Sequence, residues 1–171
     1  MPSGAQAAGC PEQPSAQTFL PWLDVPWHVP APDGGLEGGG EGWTLSGGAA
    51  VVDGNQPYLE GEHSLTLPDG ASATTAPMCI GIEYPTIRLF ARNTRSPLSA
   101  LAVPVVSRDL LGHWQALPIG VVAAGSRWAP TAVMPVIANL LSDRAAFLFT
   151  SLDWRGEWTI DDVYVDPNNK R

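Results

Sequence analysis

Glycine and proline punctuate this chain so closely that a long helix has almost nowhere to form. Eighteen glycines and seventeen prolines are spread through 171 residues. Inside a helix, glycine costs about 1 kcal/mol and proline about 3 kcal/mol relative to alanine. The longest stretch free of both runs from Val136 to Arg155, and Asn139 and Ser142-Asp143-Arg144 interrupt even that. What remains is short apolar stretches separated by turn signals, the pattern of an all-β chain.

The strands are read from their period. Thr86-Ile87-Arg88-Leu89-Phe90-Ala91-Arg92 alternates, with Ile87, Leu89 and Ala91 on one face and Phe90 the single apolar residue on the other. That is the repeat of a half-buried strand. Leu98 to Arg108 alternates through Leu101, Val103 and Val105, and Pro104 in its middle predicts an edge strand or a bulge. Shorter candidates are Trp43-Leu45, Ala49-Val52, Ser64-Leu67, Ala73-Ile80 (interrupted at Pro77), His113-Leu117, residues 127–133, residues 145–150 and Trp158-Val165. Asp69-Gly70 and Asp109-Leu110-Leu111-Gly112 read as turns. Val133 to Leu141 fits a strand or a short helical turn equally well. Many short strands with short polar turns predict two packed antiparallel sheets.

Residues 1–32 stand apart from this sandwich at 33–171. Phe19-Leu20-Pro21-Trp22-Leu23-Asp24-Val25-Pro26-Trp27-His28-Val29-Pro30 is too rich in proline for a regular helix, yet its large apolar groups need burial. It reads as an extended Pro/Trp-rich arm laid along the sandwich, with Trp22 and Trp27 pinning it. Cys10 and Cys79 are the two cysteines. A bridge between them would tie the arm to the middle of the fold, worth roughly 4 kcal/mol in the chain-entropy model; the alternative is two buried thiols.

Composition narrows the function classes. With 9 basic and 17 acidic residues the net charge is −8, which repels phosphate backbones and argues against a nucleic-acid partner. Only 15% of residues are charged and 44% are hydrophobic, a balance that suits an extracellular β protein. No apolar stretch is long enough to insert in a membrane. Met1-Pro2-Ser3-Gly4-Ala5 has neither the basic nor the apolar region of a signal peptide, so the expectation is a secreted protein whose signal has been removed. A cytosolic origin would read the same at this end. The glycine-rich stretch from Asp33 to Gly42 is not preceded by a strand or followed by a lysine, which argues against a phosphate cradle.

Two stretches are specific enough to carry a likeness. Leu36-Glu37-Gly38-Gly39 leads into Gly42-Trp43-Thr44-Leu45-Ser46-Gly47-Gly48-Ala49, and Trp158-Thr159-Ile160-Asp161-Asp162-Val163-Tyr164-Val165 closes the chain. Together they resemble the opening and closing strands of galactose-binding-like jelly rolls, the fold of many carbohydrate-binding modules. The likeness covers both ends of residues 36–166, and the middle matches in strand rhythm. The whole chain also resembles small secreted bacterial proteins, from which no activity follows. The resemblance implies a structural calcium held by Glu37 and Asp161, with Asp162 beside them. Neighbouring strand residues point to opposite faces, so both aspartates reach one ion only across a bulge. The alternative is a pair of solvated carboxylates or acceptors for turn amides.

Sugar-binding sandwiches pack the sugar ring on indole faces and bond its hydroxyls with nearby polar groups. Of seven tryptophans, Trp43 and Trp158 read as core. Trp114, Trp128 and Trp154 lie beside polar loops and are the candidate ligand platforms, with Arg127 as a polar partner. Catalysis has no comparable signal. Glu60, Glu62, Glu83, Asp109 and Asp153 show no paired spacing for glycoside hydrolysis. His28, His63 and His113 are scattered, without a zinc motif. No nucleophile elbow supports a Ser-His-Asp site. The sequence therefore predicts a non-catalytic extracellular module for carbohydrate or cell-wall polysaccharide. The alternative is a secreted structural protein that self-assembles through its arm by strand addition. A small hydrolase ranks last.

Overall fold

The computed structural model describes residues 13–80, 86–109, 111–136, 144–152 and 155–166. It is all-β apart from one 3-10 turn, Leu20–Trp22. In chain order the strands are β1 (Val29–Pro30), β2 (Thr44–Ser46), β3 (Ala50–Asp53), β4 (His63–Leu67), β5 (Ser72–Thr74), β6 (Met78–Cys79) and β7 (Thr86–Asn93). They continue as β8 (Leu101–Arg108), β9 (Trp114–Val122), β10 (Ala129–Pro130), β11 (Met134–Pro135), β12 (Arg144–Ser151) and β13 (Trp158–Asp166).

These strands form two antiparallel sheets. The first runs β10-β7-β13-β4-β3, with β1 on β13 and β11 on β7. The second runs β2-β5-β12-β8-β9, with β6 on β12. Alternate residues of both sheets meet in one core: Ile87, Leu89 and Ala91 of β7, Leu101, Val103 and Val105 of β8, Phe147 and Phe149 of β12, Trp158 and Ile160 of β13. Trp43 stacks on Phe149 with ring centres 6.0 Å apart. The two expected core indoles satisfy their N–H groups, Trp43 donating to the Pro32 carbonyl at 2.7 Å and Trp158 to Ser99 Oγ at 3.0 Å. The antiparallel sandwich expected from the strand rhythm is the architecture found.

Pro104 marks a bulge and not an edge. β8 lies between β12 and β9, and its register with β9 shifts where Pro104 faces Pro118, two residues without an N–H to share. The stretch at 73–80 divides into β5 and β6, and only Ala129–Pro130 of residues 127–133 is a strand. Within Val133–Leu141, Met134–Pro135 pairs with β7; residues 137–143 lie outside the described residues.

The arm, from residue 13, lies on the outer face of the first sheet of its own chain. Phe19 is fully buried and stacks on Phe90 at 5.3 Å, with Trp22 edge-on to the same ring at 5.4 Å. Tyr58 stacks on the other flank of Phe90 at 5.4 Å. This explains the lone apolar residue on the polar face of β7: the arm covers it. Arg88 lies 5.0 Å over the Phe19 ring and pairs with Asp24 of the arm at 2.8 Å. Trp27, expected to pin the arm, is 46% exposed, so Phe19 and Trp22 do that work. Past β1 the chain continues along β13, Ala31 N–H donating to the Val163 carbonyl and Val163 N–H to the Gly34 carbonyl.

Candidate functional site

Two places concentrate unusual chemistry. The first is a pair of buried carboxylates at a kink in β13. The pairing of β13 with β7 shifts register between Asp161 and Tyr164, and Asp162 takes a left-handed φ of 49°. The bulge is the device that turns two sequential side chains toward one place. Asp161 is fully buried and Asp162 is 7% exposed. Gln56 ties them together: its backbone N–H donates to Asp161 Oδ2 at 3.2 Å, and its side-chain Nε2 donates to Asp162 Oδ2 at 2.6 Å. Asp161 Oδ1 accepts the Asp162 N–H at 2.8 Å. Among the described residues no cationic side chain forms an ion pair with either aspartate. Burial, and then the charge of Asp162, push Asp161 up to about 7. Burial raises Asp162 as well, with Glu37 adding to the effect.

Glu37 reaches this corner but faces another way. Its Oε1 accepts the N–H groups of Glu62 at 2.8 Å and His63 at 2.9 Å, and its Oε2 lies 3.1 Å from His63 Nδ1. These hydrogen bonds hold its carboxyl below the ordinary range, and bonding to Glu37 raises His63. The three residues singled out for calcium are therefore neighbours, two of them converging and the third committed to a turn. Among the described residues, no group of three or more His, Cys, Asp or Glu is placed to hold a metal ion. Backbone carbonyls and Gln56 would have to complete any calcium shell.

The glycine-rich loop has its own occupant. Asp33 accepts the N–H groups of Gly38 at 2.8 Å, Gly40 at 2.7 Å and Glu41 at 2.9 Å. Amides that a phosphate would use are already bonded to a carboxylate of the chain.

The second place is the outer face of the second sheet. The core-facing residues of β8 and β12 are buried, so the pleat turns Ala102, Pro104, Val106 and Arg108 outward, with Leu148, Thr150 and Arg144 from β12. Register sets them in rows. Ser46, Ser72, Thr150, Ala102 and Val121 form one row across five strands. Val106 lies opposite Ala116, and Arg108 opposite Trp114. Hydroxyls lie toward the β2-β5 edge, a smooth apolar band runs through the middle, and an indole stands at one end. Trp114 is 58% exposed, with the Arg108 guanidinium 4.7 Å over its ring.

Of the expected platforms, Trp114 and Trp128 do not share a face. Trp128 precedes β10 on the first sheet, half-buried, with Arg92 4.9 Å over its ring and its carbonyl accepting the Tyr58 hydroxyl. Arg127 is exposed beside it. Trp154 lies outside the described residues, as do Cys10, Glu83 and Asp153. Cys79 is buried in β6, and there is no free cysteine among the described residues. His113 sits 3.5 Å from Asp109, His28 3.5 Å from Asp24, and His63 beside Glu37. The three histidines thus have separate carboxylate partners. Sequence reading missed Gln56, whose segment has no strand period to draw attention to it. It also missed Arg108 and Arg144, although both fall on the outward phase of alternating strands.

No family model matches the chain, and no curated protein matches it. Solved structures do. The enzymatically active domain of bacteriophage CBA120 tailspike protein 4 superimposes with a TM-score of 0.61 at 17% identity, covering 78% of this chain and 20% of that one. The CBM22-1 xylan-binding domain of Paenibacillus barcinonensis Xyn10C gives 0.54 at 18% identity, over 73% of this chain and 85% of that one. TmCBM61, solved with β-1,4-galactotriose, gives 0.54 at 17% identity, over 78% and 94%. The chain thus spans a fifth of the tailspike domain and nearly the whole of each binding module. The chain has the galactose-binding-like jelly-roll fold that these carbohydrate-binding modules share.

Proposed function

We propose that this protein is a non-catalytic, extracellular carbohydrate-binding module whose ligand lies across the outer face of the second sheet. The observation that carries the reading is Trp114, exposed at the end of a smooth face bordered by hydroxyls. A sugar ring offers an apolar C–H face and a rim of hydroxyls, which an indole and rows of Ser and Thr complement. The fold shared with xylan- and galactan-oligosaccharide-binding modules supports it. Trp128 and Arg127, which precede a strand of the first sheet, take a packing and surface role in this reading; Trp154, outside the described residues, stays a candidate platform. The self-assembly alternative has no observation in its favour, because the arm packs on its own sheet. A glycan array with insoluble polysaccharide pull-downs tests the proposal. Binding should fall at least about tenfold in Trp114→Ala and stay within twofold in Trp128→Ala; no binding to any glycan would refute it.

A structural calcium at Asp161 and Asp162 is the second reading, favoured by two buried carboxylates that form no ion pair with a cationic side chain among the described residues. A hard divalent ion would supply the missing charge, with Glu37 lending field from nearby. Calcium in excess should raise the melting temperature at pH 8 and EDTA should reverse it; identical melts would dismiss the ion. A Cys10–Cys79 bridge belongs to the same extracellular reading, and a mass increase of two hydrogen atoms on reduction would report it.

A further inference from the structure

The second sheet carries an unusual charge distribution for so acidic a chain. The protein has 17 acidic residues, yet none falls in β2, β5, β6, β8, β9 or β12. The strands of the first sheet hold Asp53, Asp161, Asp162 and Asp166. The charged side chains of the second sheet's strands are two arginines, Arg108 and Arg144, both exposed. Ala146 pairs with Val106, so two residues further along each strand Arg144 and Arg108 share the outer face at the same end. Trp114 completes that end on β9, directly opposite Arg108. Asp109, next to Arg108 in sequence, is committed to its own turn: its Oδ1 accepts the N–H groups of Leu111 and His113, both at 2.9 Å. Asp143, next to Arg144, lies outside the described residues.

We infer that the ligand of this face is an acidic polysaccharide, one whose sugars carry carboxylates, and not a neutral glycan. The inference rests on the ligand face proposed above and adds the chemical class of what it takes. The Arg108 guanidinium lies 4.7 Å over the Trp114 ring, a contact that restrains it, and a guanidinium offers a planar N–H fork suited to a bidentate carboxylate. Strands lie about 4.8 Å apart, so adjacent arginines on β8 and β12 present their charges within one sugar unit's length. The chain as a whole, at net charge −8 with these two arginines included, repels a polyanion and so favours its approach at this end of the face.

The test is calorimetric binding of the full chain to polygalacturonate, to fully methyl-esterified polygalacturonate and to xylan. The acid form should bind at least about tenfold tighter than its ester, with affinity falling as salt rises. Arg108→Gln and Arg144→Gln should each lose about tenfold for the acid form only, with unchanged melting temperatures confirming intact folds. Arg108→Lys, which keeps charge and loses the planar fork, should fall between wild type and Arg108→Gln. Equal affinity for acid and ester, or Gln variants that bind the acid as wild type does, would overturn the inference. Trp114-dependent binding to xylan alone would leave a carbohydrate module standing and remove its acidic specificity. No binding to any of the three would remove both.

Discussion

Raising the pH from 5 to 8 in EDTA should destabilise this protein, against the direction expected for a chain rich in ordinary carboxylates. Asp161 titrates near 7 in the fold, against 3.8 for the unperturbed group. Between those values the native state holds a proton that the unfolded chain has released, so the proton stabilises the fold. That stabilisation is fully present below the unfolded value and is lost as the pH rises through the folded one. The whole interval is worth on the order of 4 kcal/mol, and on the order of 3 kcal/mol falls between pH 5 and 8. Asp161 is fully buried, so solvent does not screen the effect away. For a chain of this length each kcal/mol moves the melting temperature by roughly 2–4 °C, giving a fall of roughly 6–12 °C. The assay is thermal melting followed by circular dichroism across that range, for wild type and Asp161→Asn. The amide cannot accept from both the Gln56 and Asp162 N–H groups, so the variant loses one hydrogen bond, costing about 1–2 kcal/mol. Its pH slope should nonetheless shrink to the residue contributed by Asp162. A slope as steep in Asp161→Asn as in wild type would refute the assignment of the effect to this carboxylate.

Phe19→Ala should cost about 3 kcal/mol or more, because it empties a fully buried site stacked on Phe90 and roofed by Arg88. Limited proteolysis should then cut the arm between residues 13 and 28 while the sandwich survives; uniform resistance would contradict its anchoring role. Gly34→Ala would place a Cβ 2.6 Å from the Val163 carbonyl and 3.0 Å from that of Ala31, both backbone atoms, and should destabilise by roughly 2 kcal/mol. Gly125→Ala meets nothing within 4 Å and should stay within about 0.5 kcal/mol of wild type by denaturant unfolding.

Much of the fold was legible because β periodicity survives in single strands. Ile87, Leu89 and Ala91 announced their inward face, and Leu101, Val103 and Val105 did the same. The arm was legible as a segment needing cover, and Phe90 as an anomaly on its face; that the two explain each other required the third dimension. Pro104 illustrates the limit from the other side. A proline says that a ladder bond is missing, but whether the strand is an edge or a bulged interior depends on the partner, here Pro118. The paired aspartates were visible as a likeness, and the bulge they need was stated as a condition. Gln56, which binds both, sits in an irregular loop 105 residues from Asp161, where no local pattern could flag it. Arg108 and Arg144 lie on strands far apart in sequence, and only register makes them one feature.

The last strand occupies the middle of its sheet. β13 lies between β7 and β4, and its far half is capped by β1 and the Ala31–Gly34 segment. A chain emerging from its first residue therefore exposes both flanks of an open slot until residues 158–166 arrive. Nearly every pairing in that sheet is long in sequence separation, which slows closure. The fold is in effect keyed by its own C-terminal strand. Once that strand is seated, β1 near the start of the described residues and β13 near their end are locked in a single ladder.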